Sequence, residues 1–61
     1  MKFSHGSNVT LKNDFTDQSG NTIPAGTGGV VLSGKIIGAH TFYSVSFQTF
    51  GLEIVEEDDL N

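Results

Sequence analysis

No ten-residue stretch of this chain keeps the uninterrupted i, i+3, i+4 apolar spacing of a helix, and its eight glycines are not placed to build one. They stand instead around short β-branched runs: Gly6 ahead of "NVTL", and Gly26, Gly28 and Gly29 within "AGTGGVV". Wherever a period can be read, it is two. In "TFYSVSFQ" the residues Tyr43, Val45 and Phe47 share one face, while Phe42, Ser44, Ser46 and Gln48 share the other. Aromatic and β-branched side chains suit a pleated, half-buried surface, so this is the best-defined strand. "LEIVEE" repeats the alternation with Leu52 and Ile54 around Glu53, and the short link "TFG" predicts an antiparallel hairpin. The final "EEDDL" predicts a single 3₁₀ turn that returns Leu60 to the core.

The connections carry their own signals. "KNDFTDQSGNT" is a long polar loop with Phe15 in its middle, a length that implies function or packing by its own side chains. "IPAG" places proline second and glycine fourth, a type I turn preference. In "SGKIIGAHT", Ile36 and Ile37 extend the flanking strands. Short strands of this kind have to curl or stack to enclose a core. Gly6, Gly26, Gly28 and Gly29 stand where strand entries need sharp corners. The expected core is Val9, Leu11, Ile23, Val31, Tyr43, Val45, Phe47, Leu52, Ile54 and Leu60.

Size and composition restrict the options further. Sixty-one residues make one small domain, spanning 1–61, and a domain this small buries only about 60% of its unfolded surface. There is no cysteine, so neither a disulfide nor a thiolate zinc site can support the fold. An apolar fraction of 36% and a mean hydropathy of −0.08 fit a folded domain and not a disordered tail. No apolar run reaches the roughly 18 residues of a membrane span. "MKFSHGSNVT" has no apolar signal region, and the expected compartment is cytoplasmic. Asn8 matches a glycosylation sequon and is read as a polar residue entering a strand.

A net charge of −4, with only Lys2, Lys12 and Lys35 as cations, argues against a surface that neutralises phosphates. Chemistry-bearing clusters are equally sparse. His5 and His40 are two ligands at most, short of a zinc set. Asp14 and Asp17, with Asn13 and Asn21, lack EF-hand spacing and are read as turn formers through side-chain hydrogen bonds. "GTGG" has no following lysine or helix to make a phosphate loop. No catalytic residue, cofactor or metal site is assigned, and the chain is not expected to be an enzyme.

The order "FSHGSNVTL", long polar loop, "IPAGTGGVV", "FYSVSF", "LEIV" and terminal "DDL" resembles the SH3-like small β-barrel superfamily. Within it, the spacing looks like the C-terminal domain of nitrile hydratase β-subunits, NifZ-type nitrogen-fixation accessory proteins and KOW elements. The resemblance covers nearly the whole chain and implies an all-β fold: one SH3-like barrel of four to five short antiparallel strands. It also implies a bacterial accessory or regulatory subunit, a non-catalytic module that docks on a larger protein. The expected contact residues are Phe42 and Phe50 as aromatic anchors, with His40 nearby and Glu56, Glu57, Asp58 and Asp59 as an acidic rim toward a basic protein partner. Neither nucleic acid nor membrane is an expected partner, and self-association stays open. The alternatives are a nucleic-acid-linked role, KOW-like or as an acidic DNA mimic, and an oligomeric small-barrel enzyme.

Overall fold

The computed structural model describes residues 1–61. Its strands are β1 (Asn8–Thr10), β2 (Phe15–Thr16), β3 (Thr22–Ile23), β4 (Gly28–Ile37), β5 (His40–Phe47) and β6 (Gly51–Glu56), followed by a 3₁₀ turn at Glu57–Asp59. β1, β4, β5 and β6 form an antiparallel sheet in that spatial order, and β2 pairs with β3 as a small hairpin inside the long polar connection. The fold is all-β, as the alternation requires, and the terminal 3₁₀ turn lies where "EEDDL" places it.

The longest hairpin, β4–β5, turns on two residues, Gly38 and Ala39. Gly38 has φ 61°, and glycine at the first central position suits the II′ turn whose twist matches its flanking strands. Ile36 and Ile37 therefore do extend β4, opposite Thr41 and His40. Partway along, Val31 faces Val45 but Ser33 faces Ser44, so Leu32 is an extra residue. Such a bulge bends its strand and sharpens the twist. The N-terminal turn is fastened here: Gly6 N–H donates to Val31 O at 2.7 Å, Val31 N–H to Ser7 O at 2.9 Å, and His5 Nδ1 lies 2.8 Å from Leu32 O.

The chain's end returns to its beginning. Leu60 bridges Leu11, and Thr10 and Asn61 exchange backbone hydrogen bonds of 3.2 and 2.9 Å. Backbone pairing thus runs from Asn61 across β1, β4 and β5 to β6 and stops there, so the sheet does not close into a ring. A cleft of about 390 Å³ separates β6 from the β2–β3 hairpin, with Phe15 and Gln18 on one side and Leu52 and Ile54 on the other.

Nine residues form the core: Val9, Leu11, Ile23, Val31, Tyr43, Val45, Phe47, Val55 and Leu60, with half-buried Phe3 and Phe15 packed against them. Eight of the ten expected core positions are among them. Leu52 and Ile54 are not; they are 59% and 58% exposed, and Val55 takes the inward place. Cross-strand partners share a face. Phe47 pairs with Gly51, which sets Glu53 opposite inward Val45 and Val55 opposite inward Tyr43, and sends Leu52 and Ile54 outward beside Ser46 and Ser44.

Two turn details also differ from expectation. The turn hydrogen bond at "IPAG" runs from Thr27 N–H to Pro24 O, one residue later than predicted, with Gly26 at φ 86° in the third position as a type II turn demands. Gly28 and Gly29 are not corners but lie inside β4. At Gly29 a Cβ would come within 2.7 Å of Val45 Cγ1 and 2.9 Å of Phe47 Cδ1, so its bareness makes room for the core.

Candidate protein-interaction face

The strand register places four rows on the outer face of the β4–β5–β6 sheet. They run Val30–Ser46–Leu52, Ser33–Ser44–Ile54, Lys35–Phe42–Glu56, and Ile37–His40 at the hairpin tip. Val30, Ile37, Leu52 and Ile54 are exposed, and Phe42 is half-buried. A groove of about 610 Å³ lies over this surface, with Ile37, Phe42 and Ile54 as its apolar walls and Ser33, Lys35 and Ser44 as polar ones. Serines occupy the middle strand at two of the rows, so Leu52 and Ile54 of β6 stand as a ridge along one side of them, with Val30 of β4 on the other side of Ser46.

Three of the expected contact residues meet here. His40 Nδ1 lies 3.0 Å from Glu56 Oε2, and the His40 and Phe42 rings are 6.3 Å apart. This contact is largely solvated, with side chains 61% and 33% exposed, which limits its worth to stability. Phe50 does not join them. It sits in the β5–β6 turn, where its N–H donates to Phe47 O at 3.2 Å, at the opposite end of β5 from His40. At 37% exposure it is a separate, smaller feature.

The acidic run also divides. Glu57 turns away from the outer face and accepts the Tyr43 hydroxyl at 2.5 Å and the Lys2 backbone N–H at 3.0 Å. These bonds, the tyrosine's first, hold its carboxyl below its ordinary value of 4.5. Burial, and then the bond to Glu57, push the Tyr43 phenol above 10.0. Asp59 contributes a backbone carbonyl to Lys12 N–H at 2.8 Å, and Asp58 is exposed. Only Glu56 of the four carboxylates therefore belongs to the row beside Phe42.

Asp14 and Asp17 serve turns through their side chains, whereas Asn21 contributes only backbone groups there. Asp17 Oδ1 accepts the N–H groups of Ser19 and Asn21, each at 2.9 Å, and Asp14 Oδ1 accepts that of Ala25 at 2.8 Å. No group of three or more His, Asp or Glu side chains is placed to share a metal ion. No helix is long and apolar enough to cross a membrane.

Val30, Lys35, Ile37, Leu52 and Ile54 are the members of this face that sequence reasoning did not name as contacts. In "LEIVEE" apolar residues occupy both parities, so the alternation alone cannot choose a phase. The signal that does choose is the register: counting back from inward Phe47 through its pairing with Gly51 turns Leu52 outward. Compared with known proteins, the chain matches no family model, no curated protein and no solved structure.

Proposed function

We propose that this chain is a non-catalytic protein-interaction module, a small accessory subunit whose docking surface is the outer face of β4–β5–β6. One observation carries the reading: Val30, Ile37, Leu52 and Ile54 lie exposed on one sheet face around Phe42, while a complete core forms without them. Single exposed apolar residues are ordinary, but several on adjoining rows of one face mark a contact surface. Phe42 is the central anchor, with Lys35 and Glu56 as flanking charges that set orientation.

The test is affinity capture from the native host with wild type and with Leu52→Ser/Ile54→Ser. The expected result is a specific protein recovered by the wild type and lost with the folded double variant. Identical recovery by both chains would remove this face from the function.

A further inference from the structure

We propose that the occupant of this face is a second copy of the chain, packed face to face about a two-fold axis that runs along β5. The inference rests on the reading above that the outer face is a docking surface, and names its partner.

The warrant is the self-complementarity of the rows. On the outer face β4 presents Val30, Ser33 and Lys35, β5 presents Ser46, Ser44 and Phe42, and β6 presents Leu52, Ile54 and Glu56. A two-fold axis along the central strand keeps each row level and exchanges left for right, so β4 of one copy faces β6 of the other. Lys35 then meets Glu56 of the second copy, and the symmetry makes that pairing twice. In the same operation Val30 meets Leu52, Ser33 meets Ile54, and Phe42 lies against its own counterpart. The other face-to-face two-fold, across the strands, reverses the rows. It would set Lys35 against Val30 and Glu56 against Leu52, with no opposite-charge pair across the interface. Charge pattern thus selects one geometry.

Area sets the strength. A standard interface takes about 800 Å² from each partner. That would be about a fifth of the 3879 Å² the chain exposes, so the proposal places the pair in the small class, below about 1,200 Å² in total, where association is weak and concentration-dependent. A dissociation constant in the micromolar range is expected.

The test uses sedimentation equilibrium on the wild type, then on Lys35→Glu and Glu56→Lys separately and mixed. The wild type should dimerise reversibly as its concentration rises through the micromolar range. Each single variant brings two like-charge pairs together and should weaken self-association about tenfold or more. An equimolar mixture should recover it, because in a hetero-pair the two glutamates of one variant face the two lysines of the other, giving two opposite-charge pairs. A folded wild type that stays monomeric at millimolar concentration overturns the proposal. So does a mixture no tighter than its separate components. If the wild type is monomeric but Leu52→Ser/Ile54→Ser still abolishes capture of another protein, the docking face stands and only the identity of its occupant is wrong. If the chain neither dimerises nor loses a partner on that substitution, both readings fail.

Discussion

The Tyr43 hydroxyl donates to the Glu57 carboxylate at 2.5 Å and accepts the Phe3 backbone N–H at 3.1 Å. One phenol thereby joins three parts of the chain: the N-terminal segment, β5 and the 3₁₀ turn. Its ring is buried and meets Phe3 edge-on, with centroids 5.5 Å apart. Across the hairpin it pairs with Gly34, where a Cβ would lie 2.9 Å from Tyr43 Cε1. The acidic end of the chain is therefore partly structural.

Tyr43→Phe keeps the ring and removes only this junction. The expected cost is about 1–2 kcal/mol, the range for losing a hydroxyl with hydrogen-bond partners at a packed site. Thermal unfolding should show it as a lowered midpoint. Amide exchange of Phe3, which loses its acceptor, should accelerate more than that of the central strands.

The same junction makes stability depend on pH in two windows. The Glu57 carboxyl is lowered in the folded chain, so its contribution is present above 4.5 and is lost as pH falls through the folded value. The Tyr43 phenol is raised, so its contribution is present below 10.0 and is lost as pH rises through the folded value. Denaturant unfolding across pH should give a neutral plateau with decline on both sides. Tyr43→Phe should remove this residue's share of the alkaline decline and, by freeing Glu57, reduce the acid one.

Glycines that lie inside β4 should differ sharply in tolerance. Gly29→Ala drives a Cβ against Val45 and Phe47, both buried and held in place, and should cost about 1–3 kcal/mol by overpacking. Gly28→Ala, one residue earlier, meets nothing closer than Val9 O at 3.9 Å and should be nearly neutral. Melting curves of the two variants, side by side, check the contrast.

Much of this molecule is legible in its sequence because period-two alternation needs no knowledge of partners. "FYSVSF" has apolar residues concentrated on one parity, and Tyr43, Val45 and Phe47 are buried as it requires. "LEIVEE" is ambiguous for the same physical reason that makes it interesting: its outward residues are apolar too. A hydrophobic face needed for contact and one needed for folding look alike until a register separates them. The separation of Phe50 from His40 was legible too, because the strand read in "TFYSVSFQ" lies between them and holds its two ends apart. The Tyr43–Glu57 bond was hidden, since nothing local distinguishes Glu57 from Glu56.

Three lysines against seven carboxylates leave little to neutralise a phosphate backbone. Fluorescence anisotropy with single- and double-stranded DNA and RNA should show no salt-sensitive complex at physiological ionic strength. A micromolar complex that weakens with salt would instead revive the KOW-like reading.

The claim that β6 carries its contact surface outward and its core residue inward is tested most directly by unfolding free energies at three neighbouring positions. Val55→Ala removes buried methyl groups and should cost about 1–3 kcal/mol. Leu52→Ala and Ile54→Ala remove exposed ones and should each change stability by no more than about 0.5 kcal/mol, measured at a concentration where the chain is monomeric. A large loss at Leu52 or Ile54, with Val55→Ala neutral, would reverse the phase of β6 and place the proposed docking residues in the core.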